Sequence, residues 1–181
     1  MPGVHAPEPF RQQLLEALPR VRRYARSLSF DDSATDDLVQ STVERALSHW
    51  HQFDQRRDIR VWLLSIAHNA HLDRLRREHR LSVVDPEQLA DTPDHPGSDP
   101  GVHAVLRMDL LAALARLTQA HREVLLLVGV EQLSYAECAE VLGVPAGTVM
   151  SRLSRARIAM RAALGGDTPK PDAQTGLRRV V

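Results

Sequence analysis

The sequence predicts an all-α protein of two small helical domains joined by a flexible acidic linker, the C-terminal one containing a helix-turn-helix. Three observations carry this expectation. Apolar residues recur at spacings of three and four through most of the chain, as in Phe10, Leu14, Leu18, Val21, Ala25 and Leu28, which is the signature of one-sided helices. Aromatic residues make up only 4% of 181 residues against 43% hydrophobic overall, so the core is mostly Leu, Val and Ala. Between residues 82 and 101 the composition shifts to Asp, Pro, Gly, Ser and Thr, with Pro86, Pro93, Pro96, Gly97, Pro100 and Gly101, which marks a boundary. The expected units are a first domain at 9–81, the linker at 82–101, a second domain at 102–164 and a disordered tail at 165–181.

In the first helical segment Leu15 widens the stripe, and Pro19 either kinks one helix or divides it into two. Arg20, Arg22, Arg23 and Arg26 line the other side as a solvated face. A second helix starts near Ser33, where Ser33 and Asp36 form a capping pattern and the acids favour the positive end of the helix dipole. Leu38, Val39, Thr42, Val43, Ala46 and Leu47 make its apolar face. Asp37, Gln40, Ser41 and Glu44 project opposite, as a solvated row or a docking surface. Residues 49–58 form an irregular polar stretch with Trp50, Phe53, Arg56 and Arg57. A third helix follows over 59–80, apolar at Ile59, Trp62, Leu63, Ile66, Ala67, Ala70, Leu72 and Leu75, and basic at its end through Arg74, Arg76, Arg77 and Arg80. Positive charge beside planar groups suits single-stranded nucleic acid, although Trp62 fits the core stripe better than an exposed platform.

The second domain begins with a helix apolar at Leu106, Leu110, Leu111, Leu114 and Leu117, beside a dense apolar helix at Val124–Val128. From Ser134 the pattern is explicit. Ser134 with Glu137 reads as a capping box, Ala136, Ala139 and Leu142 give a buried face flanked by Tyr135 and Cys138, and Gly143 can end the helix in the left-handed conformation. Pro145 opens a new helix that carries Arg152, Arg155, Arg157 and Arg161 and no acid. A short capped helix, a glycine turn and a basic helix form a helix-turn-helix whose second helix meets DNA.

The formal net charge is zero, but charge is segregated, as a nucleic-acid binder of neutral balance requires. One cysteine, Cys138, excludes an internal disulfide framework, and its apolar neighbours make it a small buried hydrophobe. No apolar run approaches a membrane span and the first residues lack a signal-peptide pattern, so a cytoplasmic protein without membrane insertion is expected. His68 and His71 lie three apart with no carboxylate or cysteine to complete a zinc site, and they read as surface histidines. With no phosphate-cradling glycine loop and no nucleophile motif, neither enzymatic activity nor a metal or cofactor is expected.

Three motifs in order carry a resemblance. Asp36-Asp37-Leu38-Val39-Gln40-Ser41-Thr42-Val43-Glu44-Arg45-Ala46 resembles the core-polymerase-binding helix of bacterial sigma factors. Trp62-Leu63-Leu64-Ser65-Ile66-Ala67-His68-Asn69, with Leu72 to Arg77, resembles the adjoining promoter-melting segment. Leu133 to Glu137 through Gly147 to Arg157 resembles their C-terminal helix-turn-helix. The order, spacing and short linker resemble the extracytoplasmic-function (ECF) group of the sigma-70 family over Phe10 to Leu164.

That resemblance implies an alternative sigma factor directing promoter-specific initiation. Asp37, Gln40 and Glu44, with Arg45 nearby, would dock on the β′ clamp helices of core RNA polymerase, and the second domain would meet the β flap. The loop from Phe53 to Asp58, with Arg56 and Arg57, would hold the non-template strand of the −10 element and a base flipped from its stack. Asn69 would pair with a base edge, and Arg74, Arg76 and Arg77 would bind phosphates. In the last helix Val149, Leu153 and Ala156 fit the buried side. Met150, Ser151, Ser154 and Arg155 would then read the −35 element, with Thr148, Arg152 and Arg157 on phosphates. Met150 stands where the family usually carries a basic residue, and Ser154 where it often carries a larger one. An anti-sigma factor is the further partner implied. The alternative is a helix-turn-helix regulator that binds duplex DNA without polymerase; it leaves the acidic helix and the Trp62 to Arg77 segment unexplained.

Overall fold

The computed structural model describes residues 6–82 and 102–165. The expected tail from 166 onward and all of the expected linker but its first residue therefore lie outside the described residues. The described chain is helical throughout: α1 (Glu8–Ser29), α2 (Asp32–Ser48), α3 (Ile59–Ser82), α4 (Val102–Ala115), α5 (Gln119–Leu125), α6 (Tyr135–Leu142) and α7 (Ala146–Ala163). A 3-10 turn at Trp50–Gln52 leads into the α3 loop, and a π turn at Leu126–Val130 extends α5.

Pro19 lies inside an unbroken α1. Phe10, Leu14, Ala17, Val21, Tyr24, Ala25 and Leu28 form its buried face. Phe30 closes α1 in the left-handed conformation (φ 55°), its amide reaching Arg26 O. The cap of α2 is Asp31, not Ser33: Asp31 is extended and its carboxylate accepts from the Ala34 amide at 2.6 Å. Ser33 already lies within the helix, past the residue whose side chain can reach those orphan amides.

Helix α3 is buried on more than one side. Ile59, Val61, Leu63, Leu64, Ala67 and Ala70 are core residues, and so are His68 and His71, at 4% and 3% exposure. A single stripe does not describe this helix because α3 packs against α1 and α2 and also against α6. The two halves of the chain thus share it.

In the second half Leu114 and Leu117 are buried as expected, but Leu110 is 47% exposed. The side chain of Leu106 lies outside the described residues. The apolar run at Val124–Val128 is α-helical only to Leu125 and then widens into the π turn, with Glu131 N donating to Leu126 O at 2.9 Å. A widened turn inserts a residue and re-aims the chain beyond it. Ser134 and Glu137 form the expected capping box, and Gly143 (φ 63°) ends α6. The buried face of α6 is Cys138, Val141 and Leu142, whereas Tyr135 and Ala136 are exposed. On α7, Val149, Leu153 and Ala156 are buried as expected.

The seam between the halves joins one continuous apolar cluster and carries buried polar contacts beside it. Glu131, with 2% of its side chain exposed, is gripped by Arg23 (2.7 Å) and Arg20 (3.4 Å) of α1. Buried Glu123 lies 3.5 Å from His68 Nδ1, which also meets Tyr24 Oη at 3.3 Å. The Arg122 guanidinium stacks 4.3 Å from the Phe30 ring centroid. The arginines of α1 stay largely exposed, as expected, but each has a partner: besides the two on Glu131, Arg22 pairs with Asp36 (2.6 Å) and Arg26 with Asp32 (3.4 Å). His68 and His71 are not surface histidines, because α3 presents that side to the second half.

His71 makes stability pH-dependent. Burial pushes its imidazole down to about 4, with Glu123 opposing and Arg74, His68 and Arg122 reinforcing the shift. An unfolded histidine titrates near 6.5, so the unfolded chain takes up this proton first. The contribution is complete above pH 6.5 and is lost as pH falls towards 4, to a limit of about 3 kcal/mol. His71 Nδ1 has no hydrogen-bond partner, so His71→Leu leaves no donor or acceptor stranded. Urea unfolding between pH 7.5 and 4.5 should show a steeper loss for the wild type than for His71→Leu, and equal slopes would refute the assignment.

Candidate nucleic-acid and protein interfaces

Three surfaces present the residues singled out by sequence. The first is the outer face of α2. Thr35, Leu38, Thr42 and Ala46 are buried at spacings of three and four, which turns Asp37, Gln40 and Glu44 to solvent. Gln40 donates to Glu44 at 2.9 Å one turn away, so two of the three already hold each other in register. Arg45 leans inward to Asp73 at 3.2 Å. Leu47, at 39% exposure, adds an apolar edge. An acidic row with an apolar margin repels phosphates and suits a protein partner better than a nucleic acid.

The second surface is the loop into α3. Phe53 is only 8% exposed and packs between Phe10 (6.0 Å) and Trp62 (5.3 Å). In this form its ring is a core residue and offers no face to a base. The loop is shaped by its own acids. Asp54 accepts from the Arg56 amide at 3.0 Å, and Asp58 accepts from the Arg60 amide at 2.8 Å and from its guanidinium. The Arg60 hydrogen bonds hold the Asp58 carboxyl below its usual range despite partial burial. Arg56 projects freely, while Arg57 is ion-paired to Glu140 of α6.

Asn69 lies exposed on α3, between the buried His68 and Ala70. Beyond it the basic end is moderated locally: Arg74 pairs with Glu78 (3.2 Å), Arg76 approaches Asp73 (3.6 Å), and Arg77 donates to Asp73 O (3.2 Å). These are exposed or half-exposed pairs that phosphates can displace at small cost.

The third surface is α7. With Val149, Leu153 and Ala156 turned inward, Met150, Ser151, Ser154, Arg155 and Arg157 are exposed and Thr148 is half-exposed. Ser151 Oγ donates back to Thr148 O at 3.0 Å. None of Arg152, Arg155, Arg157 and Arg161 is ion-paired among the described residues. Arg152 departs from the group. It is half-buried and lines a cleft of about 320 Å³ at the seam with His68, Leu72, Glu123 and Leu142. Burial raises the Cys138 thiol to about 11, consistent with an inert core residue.

Sequence reasoning missed the residues that join these surfaces: Arg20, Arg23, Glu123, Glu131 and Glu140. Local patterning holds no signal for pairs so far apart in the chain, 83 positions for Arg57 and Glu140 and 111 for Arg20 and Glu131. Glu123 and Glu131 did carry a hint, since each borders the apolar run from Val124 to Val130. Among the described residues no three His, Cys, Asp or Glu side chains converge as a metal-ligand set, and no helix is long and apolar enough to cross a membrane.

The family described as the Sigma2 domain of PhyR matches residues 14–68, and the family described as Sigma-70, region 4 matches residues 107–160. The chain is 37% identical to the ECF RNA polymerase sigma factor EcfG of Rhodopseudomonas palustris, over 85% of this chain and 84% of that protein. It is also 37% identical to SigC of Mycobacterium tuberculosis, over 86% and 80%. Among solved structures it is similar to the sigma factor RpoE of Bartonella quintana in complex with the anti-sigma factor NepR. That match has a TM-score of 0.79 and 30% identity, and it covers 89% of this chain and 99% of the other. CnrH in complex with the cytosolic domain of CnrY matches with a TM-score of 0.62 and 29% identity, over 87% and 88%. Relatedness at this level over 85% or more of the chain, with one sigma family on each half and a helix-turn-helix where region 4 falls, means that the chain belongs to the ECF RNA polymerase sigma factors.

Proposed function

We propose that the chain binds core RNA polymerase through α2 and directs initiation by reading the −35 element with α7 and the −10 element with the 53–58 loop and α3. It works in the cytoplasm and catalyses no reaction itself. The observation that carries this reading is the pairing of an exposed acidic row on α2 with an exposed, acid-free row on α7, one on each half. A regulator acting on duplex DNA alone has no use for the first.

Asp37, Gln40 and Glu44 meet the β′ clamp helices, with Arg45 braced on Asp73 behind them, and the second half meets the β flap. The first domain, 9–81, serves polymerase binding and −10 melting, the linker is 82–101, and the second domain, 102–164, serves −35 recognition; the family matches at 14–68 and 107–160 lie within these bounds. On α7, Arg155 reads a base edge bidentately, Met150, Ser151 and Ser154 supply the adjoining contacts, and Thr148 and Arg157 fix register on phosphates. Arg152 joins them once the cleft at the seam opens. Arg56, Arg57 and Asn69 take the displaced −10 strand, while Arg74, Arg76 and Arg77 bind its phosphates. Phe53 supports that loop from beneath. Relatives captured with NepR and CnrY support an anti-sigma factor as the partner that holds this chain inactive.

Run-off transcription with purified core polymerase over a promoter library tests the class and reads both elements. Transcripts that depend on the added chain support it; binding to an anti-sigma protein with no transcript from any promoter would point to a sigma-like decoy instead. Arg155→Ala should weaken −35-dependent initiation by about 1–3 kcal/mol of recognition, read as a lower rate on wild-type but not on −35-substituted promoters. Equal rates on both would remove Arg155 from the reader. Changing Asp37 and Gln40 to Ala should reduce affinity for core polymerase and leave helical content unchanged, because both side chains are exposed. Unaltered affinity would move the docking surface elsewhere.

A further inference from the structure

Met150 is the large apolar side chain that the first two turns of α7 offer to solvent, and its role rests on the proposed assignment of α7 to the −35 duplex. It is 52% exposed, whereas Val149 and Leu153 of the same helix are 0% and 3% exposed and belong to the core. Helices that enter the major groove place their N-terminal residues on base edges. Met150 is the fifth residue of α7, which starts at Ala146 behind Pro145.

The neighbours of Met150 leave it room. Residues three before and four after it share its side of the helix, and these are Gly147 and Ser154. A Cβ placed on Gly147 would meet nothing within 4 Å, and Ser154 is short and exposed. Ser151 Oγ is engaged with Thr148 O at 3.0 Å. Arg152 turns aside to line the cleft with His68 and Glu123. Met150 is therefore the longest side chain that the start of α7 presents to a groove.

Its chemistry narrows what it can read. A thioether has no N–H or O–H to donate, and its sulfur accepts only weakly. It cannot match the acceptors of guanine, the donor and acceptor of adenine or the amino group of cytosine. The major groove offers one apolar group, the C5-methyl of thymine. Unbranched and with three rotatable bonds, a methionine can settle on that methyl. Pressed against a guanine or cytosine edge, it would displace water from polar atoms and give them no partner in return.

We propose that Met150 is a specificity-determining residue of the −35 reader and that the group it reads is the C5-methyl of a thymine. Arg155 takes the hydrogen-bonding edge of one base pair, and Met150 takes the methyl of a neighbouring one. An apolar contact thus stands beside the charged ones on a helix that is otherwise basic.

The test uses holoenzyme assembled from the full chain and core polymerase, on the strongest promoter from the run-off library. Each −35 thymine on either strand is replaced in turn by deoxyuridine, which lacks only the methyl. At one position promoter binding by the wild type should fall about fourfold, the worth of one methyl kept from apolar contact. Met150→Ala should bind the unmodified promoter several-fold more weakly and be indifferent to the same deoxyuridine, because one contact is lost once. Met150→Leu, equally apolar and of similar size, should keep the methyl dependence. Salt dependence should be the same for wild type and Met150→Ala, since no phosphate contact is removed. A preferred −35 element without an A·T pair, a wild type indifferent to deoxyuridine throughout, or a methyl dependence that Met150→Ala retains overturns this role and leaves α7 as the reader. A wild type whose binding ignores whole base-pair substitutions at −35 would instead overturn the −35 reading itself, and the role of Met150 with it.

Discussion

A carboxylate with 2% of its surface in water has to be paired, and Glu131 is paired across the molecule. Desolvating such a group costs several kcal/mol, which attraction to two arginines roughly returns. The balance is what a reversible contact requires, because a seam built from buried Leu and Val would release only at the cost of their apolar area. Around this pair the seam adds contacts of the same kind: Glu123 with His68, Arg57 with Glu140, and Arg122 over Phe30. Apolar packing continues across the same seam, since Phe10, Val21 and Leu63 of the first half belong to one buried cluster with Leu127, Val149 and Leu153 of the second.

The position of Glu131 depends on backbone chemistry upstream. An α-helix continued through Val130 would carry that residue round by a different angle. The π turn at Leu126–Val130 and the left-handed Gln132 (φ 61°) set where the carboxylate points. Capping of α6 by Ser134 and Glu137 then fixes the direction of the helix that meets α3. A local irregularity in the apolar run thus decides the global arrangement, which is why its sequence, apolar at five successive positions, reads as an ordinary helix.

What was legible in the sequence was what local chemistry decides. The capping box, the Gly143 stop, the inward Val149–Leu153–Ala156 stripe and the exposure of Asp37, Gln40 and Glu44 all depend on short-range spacing, and all are present. The errors share one origin. Missing the acid that Arg20 and Arg23 reach, and reading His68 and His71 as surface residues, both assumed that each helix had one partner. Helix α3 has several, and the acid facing those arginines lies 108 and 111 positions away. The cap at Asp31 failed for a smaller reason: two adjacent acids and a serine all offer oxygen, and only backbone geometry selects among them.

The exposed α2 face constrains how closure can be relieved. Asp37, Gln40 and Glu44 are accessible with the seam shut, so a partner that touches only this face binds open and closed forms alike. Equal affinity for two states shifts nothing between them, however tight it is. Under the proposed docking, a polymerase contact confined to α2 favours neither arrangement, and any separation of the halves would draw on a second contact available only when they part. Two groups fit that description: Arg57, freed from Glu140, and Arg152, freed from the cleft beside His68 and Glu123. Moving the population from one part in a hundred open to ninety-nine in a hundred needs about 5.5 kcal/mol of differential binding. A few charge-assisted contacts to phosphate or to an acidic protein surface supply that amount.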